Sequence, residues 1–299
     1  MNSPILVTGA TGNVGRQVVS QLVRAGHRVR ALSRNPASAH FPREVEVVQA
    51  DLGAPESLDE ALNGVEAVFL LWRSQGIQAV PATLDRFQQD AKRIVFLSSS
   101  AVRDDTDQQS NPIGWLHAEI EHAIERSGLA WTFLRPGGFA SNALWWWAPQ
   151  IQSSDILRWP FARASTAPIH EADMAAVAVR ALTEDGHAGA KYILTGPESL
   201  TQTEQLSAIG QAVGRRLRFE EIPPVQARQE MTAILPSFVV EILLDVWSKT
   251  LDHPAPVTTT VSDVTGLPAR TFHEWALDHA ASFRLVATEA NRTSTAGVV

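Results

Sequence analysis

The sequence contains no cysteine, a single tyrosine, Tyr192, and only three lysines, Lys92, Lys191 and Lys249. The missing cysteine excludes a disulfide frame, a thiolate nucleophile and any cysteine-ligated zinc or iron–sulfur centre. A mechanism that needs a tyrosine or a lysine has almost nowhere to reside. Long apolar runs are missing too. A membrane-spanning helix needs about 18 or more uninterrupted apolar residues, and the most apolar stretch, Ile234 to Trp247, is broken by Glu241 and Asp245. The first apolar segment starts at Pro4 without a basic leader or cleavage site. A cytoplasmic protein with no membrane partner is expected.

Charge of one sign is absent from the start of the chain. Up to Arg43 there is no Asp or Glu but there are six arginines: Arg16, Arg24, Arg28, Arg30, Arg34 and Arg43. These 43 residues carry +6, which leaves −13 on the other 256 of the 299. A nucleic-acid binder would show a broad basic surface interleaved with aromatics. Here the excess is confined to one strand–helix–strand unit, so no nucleic-acid partner is expected.

What is present is a regular alternation of short β-rich runs and helical patterns. Strands are expected at Ile5 to Thr8, Arg28 to Ser33, Glu44 to Ala50, Ala67 to Trp72, Arg93 to Ser98 and Ala130 to Arg135, with helices at Asn13 to Ala25, Ser57 to Leu62, Val80 to Ala91 and Trp115 to Ser127. That series predicts an α/β fold, a Rossmann-type doubly wound parallel sheet. Beyond Pro136 the pattern loosens, then resumes with a helix from Asp173 to Thr183, a strand from Lys191 to Leu194 and a helix ending near Gly214. A strand at Leu217 to Ile222 and helices around Val225 to Leu251 and Thr271 to Phe283 follow. We read 1–150 as the first domain, 151–285 as a smaller mixed α/β lobe partly threaded back onto the main sheet, and 286–299 as a disordered tail.

Directly after the first strand comes Gly9-Ala10-Thr11-Gly12-Asn13-Val14-Gly15. Glycines there let a backbone approach a pyrophosphate, while the helix N-terminus offers N–H groups and a favourable dipole to the anion. A tight turn without ligand is the plainer alternative, but the strand before, the helix after and the second strand at the right distance all match a dinucleotide-binding fingerprint. Gly9, Thr11, Gly12, Asn13 and Val14 are therefore candidate cofactor contacts. A second strand that recognises an adenine ribose 2′-hydroxyl ends in an acid; this one ends Ser33-Arg34. A guanidinium pairs with a 2′-phosphate that a carboxylate would repel, so NADPH is favoured over NADH, with Arg34 as clamp and Ser33 as a second donor. Asp51, beside Leu52, either holds the adenine amino group or closes the third strand as a turn residue.

The glycine turn, Ala50-Asp51-Leu52, Ser98-Ser99-Ser100 and above all Glu121 with Ser127-Gly128-Leu129-Ala130-Trp131-Thr132-Phe133-Leu134-Arg135-Pro136-Gly137-Gly138-Phe139 and Asn142 resemble the NmrA-like branch of the atypical short-chain dehydrogenases/reductases. The resemblance runs roughly from Ile5 to Phe283 and is softer in the C-terminal part. It implies that NADP(H) lies across the carboxyl ends of the strands, with Leu71 and Trp72 near it, Ser98 and Ser99 toward the nicotinamide ribose, and Pro136, Gly137 and Phe139 around the nicotinamide. The family holds reductases of quinones and conjugated substrates, and also sensors that bind dinucleotides without catalysis. Tyrosine-dependent members pair a Tyr with a Lys four residues later. Here Ile113 stands at the first position and His117 at the second.

His117 is thus the candidate catalytic and ribose-binding residue, as donor or proton source; its alternative is an inner-face histidine satisfied by a carbonyl. His117 and Glu121 fail the two-histidine spacing of helical zinc sites, and no metal is expected. His170 either reaches substrate or caps the helix that follows. Six of the nine tryptophans, Trp72, Trp115, Trp145, Trp146, Trp147 and Trp159, fall near strand ends or just past Pro136. With Phe139, Trp72, Trp115 and Trp146 would line a cleft for a flat conjugated acceptor; a lid or a homodimer contact is the competing role. The expected activity is an NADPH-dependent reductase of a quinone or other conjugated carbonyl that works without a Tyr–Lys pair. The alternatives are a non-catalytic NADP(H) sensor and a natural-product tailoring reductase or isomerase.

Overall fold

The computed structural model describes residues 3–72, 76–106, 108–251 and 253–285, so the tail expected over 286–299 lies outside the described residues. The chain begins β1 (Ile5–Val7), α1 (Asn13–Arg24), β2 (Val29–Ser33), β3 (Val45–Gln49), α2 (Asp59–Leu62), β4 (Ala67–Leu70), α3 (Val80–Asp90), β5 (Arg93–Leu97), α4 (Pro112–Arg126) and β6 (Ala130–Pro136). It continues with α5 (Asn142–Trp146), α6 (Ala148–Ile151), β7 (Ile156–Trp159), β8 (Ser165–Thr166), α7 (Glu171–Thr183), β9 (Ala190–Leu194), β10 (Leu200–Thr201) and α8 (Gln202–Val213). The last elements are β11 (Arg218–Glu221), α9 (Pro224–Thr232), α10 (Ser237–Lys249), α11 (Thr260–Thr265) and α12 (Phe272–Asp278).

Two compact units share these elements. The first takes the chain up to Ala140, Ala167–Glu198 and Pro256–Thr271; the second takes Ser141–Thr166, Ser199–Ala255 and the chain from Phe272 on. One cut at 150 does not separate them. Residue 150 lies inside α6, and the chain returns to the first unit to supply α7 and β9, then again to supply α11.

The first unit is built on seven strands in the order β3-β2-β1-β4-β5-β6-β9, every pair parallel. β1, β2 and β4 are buried along their whole length, as strands must be when helices cover both faces of a sheet. Alternation sorts their side chains. Val7, Phe69, Val95 and Leu134 pack against Val14, Val18 and Leu22 of α1, Val177 and Ala181 of α7 and Val261 of α11. Leu6, Val68, Phe96 and Phe133 face Ala61 and Leu62 of α2, Leu84 and Phe87 of α3 and Ile120 and Ile124 of α4. Each such side chain taken fully out of water contributes about 1.5–3 kcal/mol. The order reverses between β1 and β4, the switch point at whose carboxyl ends doubly wound sheets bind ligands.

Helix starts depart from expectation for local reasons. α4 begins three residues before Trp115, because the Asn111 side chain accepts from the Gly114 N–H at 2.9 Å and Pro112 takes the first helical position. α7 begins at Glu171, because His170 Nδ1 accepts from the Ala172 N–H at 3.0 Å.

In the second unit β7 pairs parallel with β11 and β8 antiparallel with β10. A reciprocal Thr201–Glu204 capping box opens α8, and Gly214 closes it in the left-handed conformation. The apolar stretch around Val225 to Leu251 is divided at Pro236 into α9 and α10. Among the described residues no helix is long and apolar enough to cross a membrane.

Candidate active site

Gly9 has φ +60°, and its carbonyl accepts from the Gly12 N–H at 2.9 Å, so the chain doubles back immediately after β1. A Cβ on Gly15 would stand 2.2 Å from the Gly9 oxygen. That contact is what allows α1 to press against the turn. No side chain caps α1 and no acid stands in its first turn, so the helix N-terminus remains available to an anion. Across the switch point, the Thr8 hydroxyl accepts from the Leu71 N–H at 2.8 Å, and Leu71 packs over Gly9. Trp72, next in line, is buried with the α2–α3 face of the core. The chemistry of the turn fits a dinucleotide's pyrophosphate: the glycines let it close tightly against α1, whose uncapped N-terminus carries free N–H groups and no acid.

At the end of β2, Arg34 is exposed and pairs with no acid among the described residues. Ser33 is buried and its hydroxyl accepts from the Asn35 N–H at 3.2 Å. Not every arginine of the acid-free stretch turns this way: Arg30 is buried, donates to the carbonyls of Ala61 and Asn63 and pairs with Glu46 at 3.0 Å. Asp51 Oδ1 accepts from the Gly53 N–H at 2.9 Å, which is the turn-closing role; Leu52 beside it is buried.

Ser98 stands differently from what the resemblance implies. Its hydroxyl is buried and donates to Glu121 Oε1 at 2.5 Å, turned to the α4 side of the sheet. Glu121 in turn receives Arg135 through Nε at 3.0 Å and Nη2 at 2.5 Å. Arg135 also reaches Asp104, at 2.6 Å and 2.9 Å, and Asp104 and Glu125 take Lys191 at 3.0 Å and 3.3 Å. Arg135 holds Asp104 well below the usual carboxylate range, with help from Lys191. Burial works against the charge on Arg135, but Glu121 and Asp104 outweigh it and its pKa rises. The residues of this network come from α4, β6, β9 and, in Ser98 and Asp104, the loop after β5, so it ties that loop to the sheet. Ser99, on the opposite parity, accepts from the Ala101 N–H at 3.1 Å.

His117 Nδ1 lies 2.8 Å from the carbonyl oxygen of Ile113, so this nitrogen carries the proton and donates. The ring is partly buried and stacks on Phe96 at 5.9 Å. Burial lowers its pKa, opposed by the Ile113 carbonyl and Glu121. This is the carbonyl-satisfied arrangement left open as the alternative for His117, and the neutral ring presents Nε2 as an acceptor. Tyr192 cannot take the vacant tyrosine role there. It packs with the α1–α7 side of the sheet, the face opposite Phe96 and His117, and its hydroxyl lies 2.7 Å from His187 Nδ1.

Past β6, Gly137 N–H donates to Leu194 at 2.9 Å, and Phe139 bridges Ile169, so the segment from Pro136 to Ala140 is held by its neighbours' backbone. Trp115 is 49% exposed, and with Gln108, Gln109, Asn111 and Pro112 it lines an open depression of about 530 Å³. His170 is 2% exposed and is the cap of α7, not a side chain presented to open space. In the second unit Trp145 is 72% exposed and Trp147 is buried. Trp146 lies between them, with its ring 6.3 Å from Trp159 and 5.8 Å from Trp247 in a packed triad.

With this geometry in view, kinship agrees. The model of the NAD(P)H-binding family matches residues 9–185. The (4-alkanoyl-5-oxo-2,5-dihydrofuran-3-yl)methyl phosphate reductase of Streptomyces griseus is 39% identical, covering 93% of this chain and 99% of its own. The NAD(P)H azoreductase of Xenophilus azovorans is 35% identical over the same shares, 93% and 99%. The Escherichia coli NADPH-dependent quinone oxidoreductase, solved in complex with NADPH, superposes with a TM-score of 0.75 at 27% identity, covering 91% of this chain and 98% of that one. The chain belongs to the NAD(P)H-binding family, within the NmrA-like atypical short-chain dehydrogenases/reductases, and is an NAD(P)H-dependent oxidoreductase.

Proposed function

We propose that the protein transfers hydride from NADPH to a small, flat conjugated carbonyl compound, a quinone or an unsaturated ketone or lactone, without a Tyr–Lys pair. The observation that carries the reading is the His117–Ile113 bond: Ile113 has no proton to donate, and the Nδ1–H of His117 is spent on the Ile113 carbonyl. When bound, the cofactor supplies the hydride. The chain's residues do the rest: the Gly9–Val14 turn holds the pyrophosphate, Arg34 favours the 2′-phosphate, and His117 Nε2 accepts from a ribose hydroxyl. Trp115 and Phe139 offer aromatic surface to a planar acceptor. Such an acceptor needs no acid at the hydride step, because its oxyanion is delocalised and water protonates it afterwards. The Streptomyces relative's substrate, by name an alkanoyl-substituted unsaturated lactone, supports this class. The same reading places the protein in the cytoplasm, acting on small molecules.

The test follows NADPH oxidation with a panel of quinones, enones and unsaturated lactones. Turnover is expected with at least one class. Tight NADPH binding with no oxidation above background would replace the reductase with a dinucleotide sensor.

A further inference from the structure

We propose that Arg16 is a second guanidinium of the 2′-phosphate site, held in place by Phe41 and facing the same anion as Arg34. The proposal deepens the NADPH preference stated above and rests on it. Nothing in the glycine turn requires an arginine after Gly15, yet Arg16 is fixed there by two contacts. Its Nε donates to the Thr11 carbonyl at 2.9 Å. Its guanidinium carbon stands 5.8 Å from the centre of the Phe41 ring, and that ring is partly buried against the α1–α7 core. These contacts occupy Nε and one face of the group. The outer edge, with Nη1 and Nη2, has no acceptor among the described residues, and it is the edge that binds a phosphate through paired N–H groups.

Position selects the 2′-phosphate over the pyrophosphate. The pyrophosphate belongs to the N–H groups of the first helical residues, Asn13 and Val14. Arg16 is further along α1 and is drawn sideways onto Phe41, which lies in the β2–β3 connection that opens with Arg34. Because β1 and β2 run parallel with Val7 opposite Ala31, the turn after β1 and the end of β2 emerge side by side. The adenosine end of a dinucleotide lies over β2. Neither arginine pairs with an acid among the described residues, so both guanidinium charges stay available to a dianion.

Binding of NADPH, NADH, 2′,5′-ADP and 5′-ADP to the full-length protein, followed by calorimetry, tests this without turnover. Arg16→Met should weaken NADPH and 2′,5′-ADP by about tenfold or more, the scale of one charge-assisted hydrogen bond, and change NADH and 5′-ADP by less than about twofold. Phe41→Leu, which frees the guanidinium without removing it, should give a smaller loss with the same selectivity. Equal weakening of NADPH and NADH would overturn the proposal in favour of a pyrophosphate contact or a brace of the turn. So would an unchanged NADPH affinity. A wild-type protein that binds NADPH and NADH equally would instead remove the cofactor preference itself, Arg34 included.

Discussion

The Nδ1–H of His117 donates to the carbonyl of Ile113, one turn earlier on α4, at 2.8 Å. The bond fixes the proton on Nδ1 and leaves Nε2 as the ring's acceptor, while burial, which the bond opposes, favours the neutral ring and makes the histidine sensitive to acid.

Burial lowers the pKa of His117 in the folded protein, so below the ordinary histidine value of about 6.5 the unfolded chain binds more protons than the folded one. Stability present above that pH is lost as pH falls through the folded value. Urea denaturation of the wild type should show a decline in this window that His117→Gln lacks. Parallel pH profiles for the two would contradict it.

Among the described residues Glu121 is the only carboxylate that meets Arg135 in the buried part of its network; Asp104, the other partner, has a side chain that is 58% exposed. Glu121→Ala should therefore cost about 3–5 kcal/mol, because it leaves a buried guanidinium without its partner. Asp104→Asn should cost no more than about 1 kcal/mol. Equilibrium denaturation separates the two, and similar losses would argue against the network as drawn.

Gly15→Ala places a methyl group 2.2 Å from the Gly9 oxygen. Overpacking of this kind costs about 1–3 kcal/mol, and here it also moves the phosphate-binding turn. NADPH and NADH should both bind at least about tenfold more weakly, a loss measurable by titration.

Arg34→Glu puts a carboxylate where the 2′-phosphate is proposed to lie. NADPH affinity should fall by about a hundredfold, with NADH little changed or improved. An equal loss for both would sink the assignment.

Trp247→Ala empties the centre of the Trp146–Trp159–Trp247 triad and should destabilise the protein by about 3–5 kcal/mol. Trp145→Ala, at a site 72% exposed, should change stability by less than about 0.5 kcal/mol. Thermal unfolding distinguishes them.

The parallel sheet and the glycine turn are legible in the sequence because βα units repeat a strong local pattern, and Gly9 and Gly15 mark a backbone geometry that other residues resist. The splaying of Trp145, Trp146 and Trp147 follows in the same way from helical periodicity. For Ser98 the resemblance implies a ribose contact, whereas its hydroxyl is engaged by Glu121. Its side chain shares the parity of Phe96, toward α4, and only the fold brings Glu121 there. β7, β8 and β10 escape local reading since partners distant in sequence define them. Arg16 carried one visible signal, a guanidinium directly after the last glycine of an acid-free stretch, but its direction depends on Phe41.

The chain passes between its two compact units five times, at 140, 166, 198, 255 and 271. Neither unit is thus a portable module. A fragment ending near 150 would lack α7, which covers α1, and β9, whose loss leaves the backbone of β6 as an unpaired, aggregation-prone edge. Exchange of the second unit between relatives would have to join several segments at once, so recombination within this family should favour loop changes over domain shuffling.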